Sequence, residues 1–194
     1  MVIFFTALQE ILEFEEKVAS TLEDPRDIGM AYVNLGNELA GKGMDSSVPA
    51  FIALHVFQSI NDANGIVQAA MIIANHLFLS NQYIHALNYL KMADSYLGED
   101  SDSKLKAYIL EKMAFIQFQQ KQYPDSIDTY MKCAEMLETL GDLNEIPKIY
   151  STLGLIYQDL KQADEANEMF MKAAKIAREA GNEADAAKYE SFVS

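Results

Sequence analysis

Apolar residues recur at steps of three and four along almost the whole chain. Ile149, Leu153, Ile156, Tyr157 and Leu160 are one instance, and they place a single stripe on one helix face. No segment alternates apolar and polar residues as a half-buried strand would. The punctuation points the same way. Pro25, Pro49, Pro124 and Pro147 stand near helix starts, where a missing N–H costs little. Gly98, Gly141 and Gly181 stand at helix stops, because glycine accepts a left-handed cap. Asp102, Asp142 and Asn182 precede new helices as capping or turn residues, and Asn64-Gly65 reads as a helix-start turn. The pattern predicts helices over 2–22, 26–40, 48–60, 64–79, 83–97, 103–120, 124–139, 144–160, 163–179 and 183–192. Short connections make neighbouring helices antiparallel.

The helices repeat at a fixed offset of about 40 residues. Residues 147–180 contain Tyr150, Leu153, Gly154 and Tyr157, then Ala166, Phe170 and Ala173. One offset back stand Leu110, Met113, Ala114 and Gln117, then Ser126, Tyr130 and Cys133. Another gives Ala70, Ile73, Ala74 and Leu77, then Ala86, Leu90 and Ala93. Leu35, Gly36, Leu39, Ala50, Leu54 and Phe57 continue the ladder if the loop Gly41–Val48 carries a two-residue insertion. Small residues mark the closest helix crossing and large ones fill the space beside it. A lone helix pair cannot bury both faces, so such pairs stack.

These residues resemble the tetratricopeptide-repeat (TPR) family. Tyr150, Leu153-Gly154, Tyr157, Ala166, Phe170 and Ala173 follow its order of aromatic, Leu-Gly, Tyr, Ala, Phe, Ala. The first aromatic is commonly Trp in that family, and no Pro closes the repeat here. The spacing and the endings Leu140-Gly141-Asp142 and Ala180-Gly181-Asn182 resemble a longer-repeat subgroup. That subgroup includes bacterial Rap-type regulators, the kinesin light chain and animal mitotic-spindle adaptors. The resemblance spans about residues 26–182 and implies an all-α, right-handed α-solenoid of antiparallel helix pairs. The expected organisation is a capping helix at 1–24, four pairs at 25–62, 63–100, 101–141 and 142–182, and a second cap at 183–194.

Segment 2–22 is more apolar than a cap requires. Phe4, Leu8, Ile11, Val18 and Leu22 form a stripe that Phe5, Leu12 and Phe14 widen. The stripe packs on the first pair, or Phe4, Phe5, Leu8, Ile11 and Leu12 serve self-association as a homodimer or docking face.

Charge restricts the partner. The 194 residues hold 15 Lys+Arg against 29 Asp+Glu, a formal net charge of -14. Nucleic acid and anionic membrane surfaces both want a basic face, so neither is an expected partner. No apolar run reaches the ~18–20 residues of a membrane span. The N-terminus lacks the basic start of a secretory signal, so the expected location is cytoplasmic.

Candidate chemistry is sparse. His55, His76 and His85 form no paired metal spacing, and one cysteine cannot build a Cys-rich zinc site. Cys133 takes a small-residue slot and reads as core. The acidic clusters Glu13–Glu16 and Glu99–Asp102 read as solvated faces, since no calcium loop is present. No phosphate loop or nucleophile elbow occurs. No enzyme, cofactor or metal is expected.

The first helix of each pair lines the concave surface in TPR proteins, and that is their usual partner site. Counting from each small residue places Asn37, Met71, Ile72, Asn75, Phe78, Glu111, Phe115, Phe118 and Leu155 on that face. The middle of this stretch is apolar, as a partner-binding groove or a groove filled by segment 2–22 would be. In chaperone-tail-binding TPR domains a clamp of Lys, Asn, Asn, Lys and Arg grips a carboxylate. Asn37 and Lys112 fit two of those places, while Val33, Ile72 and Tyr108 occupy the others, so that role is not expected. The expected function is a non-enzymatic scaffold binding a neutral or basic protein or peptide. The alternatives are a peptide-switched Rap-like regulator and a self-assembling scaffold. Rap proteins carry an added N-terminal helical bundle, and segment 1–24 is shorter than that.

Overall fold

A computed structural model describes the backbone of residues 2–97 and 103–193, and the side chains of 11–97 and 104–193 save residue 19. Ten α-helices and no strand occur among the described residues. They are α1 (Val2–Thr21), α2 (Pro25–Gly41), α3 (Ser47–Ser59), α4 (Ala63–Leu79), α5 (Tyr83–Tyr96), α6 (Ser103–Gln119), α7 (Tyr123–Leu140), α8 (Ile146–Asp159), α9 (Ala163–Glu179) and α10 (Glu183–Glu190). They fall into two compact units, residues 1–99 with α1–α5 and residues 100–194 with α6–α10.

Helix ends follow a local rule with a period of twenty residues. Asn61, Asn81, Lys121, Gly141, Lys161 and Gly181 all have left-handed backbone, with φ between 53° and 81°. Each ends a helix in the same way. The next residue's N–H donates to the carbonyl five residues back, as in Gln82 to Leu77 at 2.8 Å and Asn182 to Ala177 at 2.8 Å. Orphan carbonyls of the last turn are satisfied by this bond. Gly98, expected to stop a helix, lies outside the described residues, as do Asp102 and the cluster Glu99–Asp102. Helix starts are mixed. Asp62 caps α4 by accepting from Gly65 N–H at 3.1 Å, and Asn182 caps α10 by accepting from Asp185 N–H at 3.1 Å. Asp142, expected as a capping or turn residue, lies in the α7–α8 turn and not at the cap of α8. Four residues, Asp142 to Glu145, intervene before α8 begins at Ile146, and the Asp142 carboxylate instead meets Lys104 at 3.3 Å.

The ladder residues form the cores. In unit 1, Phe57 of α3 lies fully buried against two glycines. A Cβ at Gly65 of α4 would stand 2.2 Å from the Phe57 ring, and one at Gly29 of α2 2.7 Å from it. In unit 2, Phe170 of α9 occupies the same kind of space, 2.5 Å from where a Gly154 Cβ would be. Two ladder positions carry polar atoms without cost. Ser126 Oγ donates to the Ala114 carbonyl at 2.8 Å, and Cys133 Sγ to the Ala107 carbonyl at 3.2 Å.

Helix α1 packs on α2. Ile11 is buried with Leu35 and Leu39, and Phe14 meets Tyr32 edge-on with ring centroids 5.3 Å apart. Of the self-association candidates, Ile11 is therefore taken up by the fold, whereas Leu12 is 54% exposed. The side chains of Phe4, Phe5 and Leu8 lie outside the described ones. Among the described residues, no helix is long and apolar enough to cross a membrane.

Candidate functional site

Among the described residues, unit 1 has an open cavity on its first helices α2 and α4, and unit 2 has one between α6, α7 and α8. In unit 1 the cavity holds about 280 Å³. Helix α2 contributes Asn37 and Ala40, α4 contributes Ile72, Asn75, His76 and Leu79, and the α2–α3 loop contributes Met44, Asp45 and Ser46. Helices α2 and α4 meet at Gly36, where a Cβ would stand 3.5 Å from the Ile72 side chain, an ordinary packing distance. Asn37 and Asn75 hold equivalent ladder positions, which is why both carboxamides meet here.

The loop is held by one carboxylate. Asp45 Oδ1 accepts from Ser47 N–H at 2.8 Å and from Ser47 Oγ at 2.6 Å, and faces His76 Nε2 at 3.4 Å. Partial burial opposes the charge on Asp45. The two Ser47 hydrogen bonds and the His76 imidazole outweigh it and hold the carboxyl below its ordinary range.

In unit 2 the cavity holds about 390 Å³. Its walls are charged. Lys148 of α8 meets Glu111 of α6 at 2.8 Å and Glu145 at 3.8 Å, and Lys104 meets Asp142. Lys112 stands 5.1 Å from the Tyr108 ring centroid, within cation–π range. Hydrogen bonding to Glu111 raises the affinity of Lys148 for its proton. Cys133 lies at the floor, where burial, with Glu111 adding to it, pushes its thiol up to about 12. Such a thiol is protonated at neutral pH and is a poor nucleophile.

The residues expected on the concave face divide three ways. Asn37, Ile72 and Asn75 come together in the unit 1 cavity, and Glu111 lines the unit 2 cavity. Met71 and Ile72 are buried, so the expectation of exposure fails for both; α4 packs with its apolar side against α2, α3 and α5. Phe78, Phe115 and Phe118 are half-buried. Phe78 meets Tyr83 at 5.6 Å, Phe118 meets Tyr123 at 6.2 Å, and Phe115 and Phe118 pack on the unit 2 core. Leu155 is 42% exposed. Asp45, His76, Leu79, Lys104, Asp142 and Lys148 were not expected at these sites. Four of them, Asp45, Lys104, Asp142 and Lys148, lie in a loop or within the first three residues of a helix, where a periodic ladder carries little information, and His76 and Leu79 lie off the ladder positions.

Antiparallel helix pairs with small residues at each crossing and cavities on the first helices define a TPR-like α-solenoid fold. Residues 105–179 match the tetratricopeptide-repeat family. Solved structures agree on the fold. Aspartyl phosphate phosphatase F from Bacillus subtilis superposes with a TM-score of 0.73 at 18% identity, covering 97% of this chain and 53% of that one. A Rap protein complexed with Competence and Sporulation Factor gives 0.66 at 18%, covering 96% and 56%. The TPR-like repeats of a putative kinesin light chain from Podosopora anserina give 0.70 at 10%, covering 89% and 87%. The chain thus spans about half the length of the phosphatase and of the Rap protein. No curated protein matches the chain significantly in sequence.

Proposed function

We propose that the protein is a non-enzymatic interaction scaffold that binds a protein or peptide segment on the first helices of its pairs. One observation carries the reading: Asn37, Ile72 and Asn75, which the repeat ladder places on one face, line a single open cavity. A fold whose stacking leaves polar carboxamides beside apolar floor presents both hydrogen bonds and burial to an extended segment. Within unit 2, Leu155 adds an exposed apolar side chain on a first helix and Glu111 offers a carboxylate in that unit's own cavity. A net charge of -14 favours a neutral or basic partner.

The test is a titration of peptides selected from a random display library against the intact chain. Asn37→Ala and Leu155→Asp, both at exposed positions, are expected to weaken selected peptides by about tenfold with unchanged circular dichroism. Selected peptides that bind both variants as well as the wild type would remove the reading.

A second reading has one observation in its favour. The similar Rap protein was solved in complex with Competence and Sporulation Factor. In that reading peptide binding switches the protein between two states, and the X-ray scattering profile of the chain changes on saturation with a selected peptide. An unchanged profile leaves the plain scaffold.

A further inference from the structure

The unit 1 cavity differs from its counterpart in unit 2 in charge and in one exposed side chain. Leu79 closes α4 and lines the cavity, yet it is 81% exposed. The equivalent residues one and two offsets on are Gln119 and Asp159, which are polar. Nothing in the repeat therefore requires an apolar residue at this place. The cavity continues the apolar surface inward through Ile72, Ala40 and Met44. At about 280 Å³ it suits one side chain and a stretch of backbone, and it is below the range of most small-molecule sites.

Charge separates the two cavities. Lys104, Lys112 and Lys148 line the one in unit 2, and no Lys or Arg lines the one in unit 1. Here the permanently charged group is Asp45. Its Oδ1 is engaged by Ser47 and His76, and the side chain is still 43% exposed at the cavity edge. A carboxylate at the rim of an apolar recess repels acidic segments and attracts a cation carried beside an apolar anchor.

We propose that the unit 1 cavity takes one leucine, isoleucine or methionine side chain of an extended protein segment, and that a lysine or arginine neighbouring it pairs with Asp45. Covering Leu79 supplies the burial, and Asp45 supplies the selection. This inference rests on the reading of the protein as a peptide-binding scaffold.

The experiment is a random-peptide display selection on the intact chain, followed by fluorescence titration of the enriched peptides. Enriched sequences are expected to pair Leu, Ile or Met with a nearby Lys or Arg. Leu79→Asn is expected to lower their affinity about tenfold and Asp45→Asn about fivefold. Both positions are exposed, and asparagine at 45 can still accept from Ser47, so folding is preserved. Asp45→Lys should turn the selected charge from basic to acidic. Enriched peptides that lack the pairing, or that bind Leu79→Asn and Asp45→Lys unchanged, would overturn this inference and leave the scaffold reading standing. A folded wild-type chain that enriches no peptide at all would overturn both.

Discussion

Lys121 and Lys161 hold left-handed backbone with φ of 58° and 61°. For a residue with a Cβ that conformation costs about 1–2 kcal/mol. The Schellman bonds on either side hold it in place. Lys121→Gly should therefore stabilise the protein by about 0.5–1 kcal/mol, after the greater chain entropy of glycine is subtracted, as read from a urea midpoint shift. No gain at that position would show that the backbone is not strained there. Cys133 gives a pH prediction. Its folded thiol titrates near 12, above the ~8.5 of an unfolded one, so the folded chain holds its proton more tightly. Stability is unaffected below about pH 8.5 and declines as pH rises above it. An aromatic disulfide reagent at about pH 8 should react with Cys133 only after urea unfolds the chain. Rapid reaction in the native state would contradict the buried placement. Much at this scale was readable in advance. Ser126 and Cys133 sit where a small residue was required, because steric room at a crossing shows in composition. The left-handed lysines were not readable, since a lysine carries no local sign of positive φ.

Helices were the most legible elements. Ends predicted for α4, α5 and α9 fall within one residue of the observed ones, because amphipathic period and turn position both report on them. The connections Lys42–Ser46 and Gly141–Glu145 are longer than the three-residue turns at most other junctions, and a ladder cannot describe them. Both supply cavity walls, Asp45 in one and Asp142 in the other, so the same blind spot hid part of each site. Packing between elements makes its own prediction. Gly65→Ala drives a Cβ into the Phe57 ring and should destabilise by about 1–3 kcal/mol. Gly41→Ala meets nothing within 4 Å at the end of α2 and should be neutral or stabilising by up to about 1 kcal/mol. Thermal unfolding of the pair reads the contrast. Equal melting temperatures would mean that Phe57 does not occupy the gap between α2 and α4.

At the scale of the molecule, two units with separate cores repeat one construction and differ in surface chemistry. The fold was legible because stacking imposes the same small and large residues at every step. The candidate face was legible only in part. Counting from the small residues located Asn37, Asn75 and Glu111, whose side chains point away from the core. The same count included Met71, Ile72, Phe78 and Phe115, which packing takes up, because periodicity gives direction but not depth. The surface proposed for a partner is the mixed polar and apolar lining of the unit 1 cavity on α2 and α4. Amide-resolved NMR titration of the intact chain with a library-selected peptide tests this most directly. The account predicts shifts centred on Asn37, Asn75, Leu79 and Asp45, with any others near Glu111 and Leu155. Shifts centred on the second helices α3, α5 and α9 would contradict it.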